Sequence, residues 1–513
     1  MEKTKGAAAD NQTGAARIWE LYQQGLQHHQ RHSLYARAER CHRFYEGDQW
    51  YSEQGGLEGE ELPIYNFIEP VVNYKTATVA MQNLAIHYSD MGGGAGPARC
   101  RALENYTARC WERRKMDARL WDMAREACIT GSSYLYFFDA DLNCQLLDGA
   151  ALFLADEEQP DLQRQSYLLL MERLPVEQVK QAARRSGLEA ALVDQIGPDS
   201  ASPWWGAEQA QKSGGEEKCT SLLYLTKTPG GVTFCRSTKT VVYAPRQTVP
   251  GMKLYPMVSF LWKRCYHSAR GRGEVWPLIP NQIEANKTLY RRLQAMKAAA
   301  FPKPVYVEGM VENPEDVTAV GSPVKVREGT VQKVSEVFTY LAPAGMSPDA
   351  NLLQSELIGQ SRELASAGDA ALGIIDPTQA SGTAIAAVRE AQAVPLNEQT
   401  AAFRQMAEDV ALVWLDLLAA YYPHGLTDGE RAALDGLDRL RPGVRVDVSP
   451  ADPFSRFARE QAAAAALEAG HITFAEYVQT LDKRSNAPKE QFEAILKQRR
   501  AADPGAEERS TGQ

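Results

Sequence analysis

The chain lacks most of the signatures by which a sequence announces chemistry. Its 513 residues hold no G-x-x-x-x-G-K-[S/T] phosphate loop, no H-E-x-x-H zinc motif and no G-x-S-x-G nucleophile elbow. The eight cysteines never fall at C-x-x-C spacing, which argues against a paired-thiol site and suits free thiols in a reducing cytosol. No apolar run approaches about 18 residues, so no transmembrane helix is expected. Met1 to Gly6 lacks the apolar core of a signal peptide. A basic excess is missing too: Lys and Arg total 56 against 65 Asp and Glu, a net charge of −9. Proteins dedicated to gripping nucleic acid usually carry the opposite balance. Gly271-Arg272-Gly273 lacks the third glycine of a dinucleotide loop and precedes a proline-started helix. No enzyme, cofactor or metal is expected from these absences.

What is present centres on Glu274 to Tyr422. A helix is expected over 276–300, because Pro277 suits a first helical turn and Pro280 is taken to lie within it. Leu278, Ala285, Leu289, Leu293, Met296 and Ala300 recur on one face; Glu284, Lys287, Arg291 and Gln294 fall on another. Phe301-Pro302-Lys303-Pro304 stops the helix. Residues 301–346 read as a compact β-rich insertion, with β-prone runs at 305–307, 324–326 and 331–337 separated by turn residues. A second helix is expected over 347–367, opened by Ser347 and Pro348 and ended by Gly368. Residues 368–382 form a loop of small residues with two aspartates and unpatterned Leu372, Ile374 and Ile375. Loops longer than about 12 residues are uncommon without a purpose. A long helix then runs over about 383–422, with a kink expected at Pro395.

Around this centre, residues 1–13 and 501–513 are expected to be disordered. Helices are expected over 14–44, 68–83, twice within 97–130, and over 176–190. Residues 131–148 read as a hairpin, and strands are expected between 151 and 262. His28, His29 and His32 invite a metal reading, but no carboxylate or cysteine shares their helix face at ligand spacing, so a solvated surface is preferred. Asp139 and Asp141 read as hairpin-turn aspartates rather than a metal pair. Arg113, Arg114 and Lys115 read as a solvated basic turn in preference to a DNA contact. A return strand is expected near 444–448 and helices over 453–500. The fold class is α+β, mainly α.

Four stretches carry a resemblance. They are Phe44-Tyr45-Glu46-Gly47-Asp48-Gln49-Trp50; Tyr65-Asn66-Phe67-Ile68-Glu69-Pro70-Val71-Val72; Gly271 to Val275 with Asn281, Gln282 and Asn286; and Gly373 to Ala384 before the kinked helix. In this order they resemble the portal (connector) proteins of tailed bacteriophages, of the siphophage type. The resemblance implies a ring of twelve subunits at one capsid vertex, with a wing over 14–275 and stem helices over 276–300 and 347–367. It implies a clip over 301–346, a tunnel loop over 368–382, a kinked wing helix and return strand over 383–452, and a helical crown over 453–500. Double-stranded DNA passes the channel without sequence specificity. Partners are the terminase large subunit, the head-completion adaptor, and the major capsid and scaffold proteins; no membrane is involved.

On that reading Asp369, Leu372, Ile374, Ile375, Asp376, Thr378 and Gln379 sit in the tunnel loop nearest the duplex. Lys287, Arg291, Asn351, Ser355 and Arg362 are candidates for the stem tunnel, although surface ion pairs explain Lys287 and Arg362 equally well. Pro395 is the hinge of the wing helix. Glu308, Glu312, Glu315, Asp316, Lys325 and Arg327 are clip docking candidates. A mostly acidic wall lets a duplex slide where a phosphate-binding wall would stall it, and the energy for movement comes from a partner ATPase. Two other classes stay open: a scaffold or tail protein that never encircles DNA, and a hydrolase with a diffuse active site. A scaffold needs neither the helix–insertion–helix order nor the loop; activity of the purified protein on nucleotides or DNA marks the hydrolase.

Overall fold

The computed structural model describes residues 2–50, 62–80, 82–89, 97–139, 141, 143–199, 217–316, 323–327, 333, 335, 337–341, 349–368, 391, 393–421, 431, 443–450, 463–474, 477, 478, 481, 491 and 492. The class is α+β, mainly α. In chain order the elements are α1 (Glu2–Arg31), α2 (Leu34–Glu46), α3 (Ile68–Ala80), β1 (Gln82–Ser89), α4 (Pro97–Arg114), α5 (Met116–Thr130), β2 (Ser132–Phe137), β3 (Cys144–Leu147) and β4 (Leu152–Leu154). There follow β5 (Tyr167–Pro175), α6 (Val176–Arg185), α7 (Ala190–Val193), β6 (Lys218–Thr228), β7 (Gly231–Ser237), β8 (Val242–Pro250) and β9 (Met257–Leu261). The last are α8 (Val275–Ala300), β10 (Lys303–Tyr306), β11 (Phe338–Leu341), α9 (Asp349–Leu364), α10 (Asn397–Ala420) and β12 (Gly443–Pro450).

Two sheets build the body. The order β4-β5-β6-β7-β8 is an antiparallel meander, and β3-β2-β9 places the strand before α8 beside the hairpin. α1 lies on the meander, where Ile18 and Tyr22 meet Phe153, Leu169 and Leu222. The main core joins α2, α3, α4, α5, the three-stranded sheet, the start of α8 and α10. Its large members include Trp262, Trp414, Phe260 and Phe403, all fully buried. Phe260 meets Phe403 edge-on at 5.8 Å, and Trp111 meets Trp414 edge-on at 5.5 Å. β1 and β12 pair antiparallel from Gln82↔Pro450 to Ser89↔Gly443, bringing the late chain back beside β1 and against α10.

Several expectations need correction. Residues 2–13 are helical rather than disordered. Alanine-rich sequence favours the helix there, and the Asn11 side-chain amide clips both the N–H and the C=O of Val242 on β8, at 2.9 and 3.0 Å. The helix expected over 14–44 is two helices, broken where Ser33 turns left-handed at φ 51. The helix expected to reach Asn83 ends at Ala80, and Asn83 belongs to β1. A strand partner more than 350 positions away claims that segment. Pro280 lies a full turn inside α8, which begins at Val275, so the Trp276 carbonyl loses its usual i+4 donor.

The route into α8 depends on glycine. Gly131, at φ 113, ends α5, and a side chain there would run into the Gly271 carbonyl. Gly271 and Gly273 likewise pass against the backbone of Gly131 and Ile129. Gly131→Ala combines a left-handed penalty of about 1–2 kcal/mol with a backbone collision. A loss of at least about 2 kcal/mol in the denaturation midpoint analysis is expected, whereas exposed Gly187→Ala, with open space around it, should cost visibly less.

Candidate functional site

Residues of the first three of the four stretches meet at the root of α8; the fourth, Gly373 to Ala384, lies outside the described residues. Gln282 and Asn286 stand one turn apart, 0% and 2% exposed. Gln282 treats the extended segment 65–67 as a strand: its Oε1 accepts from Phe67 N at 3.1 Å and its Nε2 donates to Tyr65 O at 2.7 Å. Asn286 Oδ1 accepts from Tyr65 N at 3.1 Å, and its Nδ2 donates to Gln49 Oε1 at 2.5 Å. Gln49 passes the chain on to Phe44 O, and Asn66 reaches Tyr45 O while accepting from Ile68 N at the start of α3. Buried amides of this kind are tolerated when every group is matched.

A buried ion cluster lies about two turns above. Glu274 bonds Lys75 Nζ at 2.9 Å, Lys263 Nζ at 2.6 Å and Trp262 Nε1 at 2.8 Å. Burial pushes its carboxyl up, but Lys75 and then Lys263 outweigh that and hold it below the usual carboxylate range. The cluster joins α3, the end of β9 and the start of α8. Trp276 adds a stack under Arg37 at 4.7 Å.

Below this root, α8 and α9 run antiparallel as a pair. Asn281 Nδ2 donates to Ser361 Oγ at 2.9 Å, and Arg292 donates to Gln354 Oε1 at 2.5 Å. The segment between them has its own small core of Val311 and Val337 with Met310, Val324, Val326 and Phe338. β10 and β11 pair antiparallel from Lys303↔Leu341 to Tyr306↔Phe338. The apolar stripe of α8 divides: Leu278 and Ala285 are buried, while Leu293 and Met296 are exposed, Met296 at 65%. Phe301 at 72%, Val305, Val307, Tyr340, Leu341, Leu352 and Leu353 continue the uncovered surface.

The residues singled out in the sequence are placed as follows. Lys287 is half-buried, 3.9 Å from Glu284. Arg291 and Ser355 are exposed and Arg362 is half-buried. The Asn351 side chain lies outside the described residues, as do Asp369, Leu372, Ile374, Ile375, Asp376, Thr378 and Gln379. Glu308, Glu312, Glu315, Lys325 and Arg327 are exposed on the insertion; Asp316 is half-buried and accepts from Asn313 Nδ2 at 3.0 Å. Pro395 is the middle residue of a 3-10 turn, Val394–Leu396, immediately before α10. Of the expected long helix 383–422, residues 383–390 lie outside the described residues. Asp139 is engaged within its own turn, accepting from Asn143 N at 2.9 Å. Arg114 donates to the Asp141 carbonyl and Arg113 lies 4.0 Å from its carboxylate. Sequence reading missed Arg292, Gln354 and Ser361; polar residues flanking an apolar stripe were the available signal.

Glu274 sets a pH dependence. Its folded-state value lies below its unfolded one, about 4.3. The stability it contributes is therefore present above that value and is lost as pH falls through the folded value. Glu274→Gln leaves Lys75 buried without its counter-charge, a loss of about 3–5 kcal/mol at neutral pH. Denaturation at several pH values should show that loss, with a flatter dependence of stability on pH below about 5 than in the wild type.

Residues 232–425 match the family model of phage P22-like portal proteins. That span runs from β7 past the end of α10 and includes the α8 side of the root, the helix pair and the insertion. No curated protein matches the chain. The family match supports a phage portal protein. Among the described residues no helix is long and apolar enough to cross a membrane.

Proposed function

We propose that the chain is one subunit of a portal ring at a capsid vertex, through which double-stranded DNA enters during packaging and leaves at ejection. The observation that carries this reading is the uncovered apolar surface along the lower halves of α8 and α9 and on the insertion. Each large apolar side chain gains roughly 1.5–3 kcal/mol on leaving water. Neighbouring copies offer that cover when head-to-tail contacts close into a ring. α8 and α9 are then the stem and residues 301–346 the clip.

Within this proposal the ring has twelve subunits. The clip docks the terminase large subunit and later a head-completion adaptor through Glu308, Glu312, Glu315, Asp316, Lys325 and Arg327. The shell side meets capsid and scaffold proteins. Lys287, Arg291, Asn351, Ser355 and Arg362 face the stem tunnel, and residues 368–382 narrow the channel. The siphophage affinity rests on the four stretches together, of which residues 44–50 and 65–72 lie outside the span matched by the P22-like family model.

Pro395 is the natural place for the wing helix to bend. α10 beyond it is pinned, since Asp416 Oδ2 accepts from Lys253 N and Leu254 N at 2.6 and 2.7 Å and Trp414 is fully buried. Movement of the tunnel loop is therefore absorbed before Asn397. Pro395→Ala should restore a continuous helix and lower DNA filling or retention in a packaging assay; unchanged filling and retention argue against a hinge.

Averaged end-on electron micrographs of the purified protein test the ring itself. A closed ring with a central opening of duplex width is expected, and Met296→Asp should shift the population to monomers. A stable wild-type monomer in virus particles, or an assembly without a hole, refutes the proposal.

A further inference from the structure

The outer edge of β9 is left unfinished. Among the described residues β9 pairs only with β2, in the order β3-β2-β9. Trp262 N donates to Gly131 O and Phe137 N to Pro256 O, in the register that sets Ser132 opposite Leu261. Along one strand of an antiparallel ladder the main-chain groups point alternately to either side. Those of Val258 and Phe260 therefore point at β2, and those of Met257, Ser259 and Leu261 point away from it. Met257 is satisfied: its N–H donates to Tyr255 O at 2.7 Å and its carbonyl accepts from Gln163 Nε2 at 3.2 Å. The same Gln163 amide bonds the N–H and C=O of Tyr255, at 2.8 and 3.1 Å, so it stands in for a neighbouring strand. It reaches no further. The outward N–H and C=O of Ser259 and of Leu261 have no protein partner among the described residues.

Ser259 and Leu261, both half-buried, line a cleft of about 420 Å³ between β9 and the flank of α10. Met257, Phe260, Met406 and Val413 give it an apolar wall, and Leu412 stands exposed beside it. The lining carries two carboxylates, Asp161 and Asp409, against the one guanidinium of Arg264. Asp161 is exposed and has Arg164 at 3.2 Å. Asp409 is half-buried, accepts from Gln405 Nε2 at 3.3 Å and forms no ion pair among the described residues. Proteins blunt open strand edges with proline or charge; Met257-Val258-Ser259-Phe260-Leu261 has neither.

We infer that this cleft binds an extended, basic segment of a separate protein, which adds to β9 as a further strand. A row of alternating main-chain donors and acceptors is matched by another extended backbone, with pockets beside it for alternate side chains. The apolar wall takes side chains on one face of such a segment. Asp409 takes a lysine or arginine, supplying the counter-charge that the fold leaves out. The carboxylates disfavour a phosphate backbone, and a chain of net charge −9 is itself a poor source of a basic segment, which favours a separate partner over a second copy. The inference does not depend on the ring, since β9 and α10 meet within one chain.

The test titrates full-length protein into a fluorescein-labelled heptapeptide in which valine and threonine alternate about a central lysine, and reads anisotropy. Saturable binding of about one peptide per chain, with a Kd below about 1 mM, is expected. Methylating the peptide's amide nitrogens removes its donors to β9 and should weaken binding at least about tenfold. Exchanging its lysine for glutamate should do the same, and Asp409→Lys should reverse the preference between the two peptides. Ser259→Pro should abolish binding and spare the β2 ladder, because the N–H it removes faces the cleft; melting curves show that each variant folds, and Asp409→Lys decides alone if the proline variant does not. No saturable binding by the wild type, equal binding of the methylated peptide, or an unchanged preference in Asp409→Lys overturns the inference. Self-association that Ser259→Pro removes, without peptide binding, gives the cleft to a second copy and overturns it as well.

Discussion

Two side-chain amides on one helix turn hold the molecule's working part to its body. Gln282 and Asn286 are enclosed completely, and each is matched to backbone or amide groups of residues 49, 65 and 67. A buried amide that loses its partner costs roughly 1–3 kcal/mol, so the arrangement tolerates little rotation of α8. Glu274 adds a charged anchor about two turns earlier, between two lysines and an indole. The direction of α8 follows from these contacts, and α9 and the insertion follow from α8.

Much of that rod was legible. Pro277 and the Phe301-Pro302 stop marked a helix over 276–300, and the helix observed spans Val275–Ala300. The hairpin of 131–148 was legible because alternation and turn aspartates agree. Less was legible wherever a distant partner decides. Asn83 reads as helix until Ser449 pairs with it. Residues 2–13 read as disordered until Asn11 finds an open strand edge on β8. The glycines of 271–273 have no local reason at all; they serve a close pass beneath the end of α5. Glu157 joins His28 only through the folding of the meander against α1.

The apolar stripe of α8 shows a different limit. Periodicity identifies a face that avoids water, not the surface that covers it. Leu278 and Leu293 belong to the same stripe, yet the first is enclosed by the body and the second is bare. The amide pair was quoted as a motif without a role for the same reason: its function is contact, and contact has no period.

That division along one helix has a bearing on the life of the unassembled chain. The body is finished within a single molecule, while the limb below it is water-averse and open. Such a chain is sticky in proportion to the time it waits for company. Storage as single copies is therefore poorly suited to it, and a cell producing it does best when neighbours, or an escort that shields the limb, are at hand as soon as the body has folded.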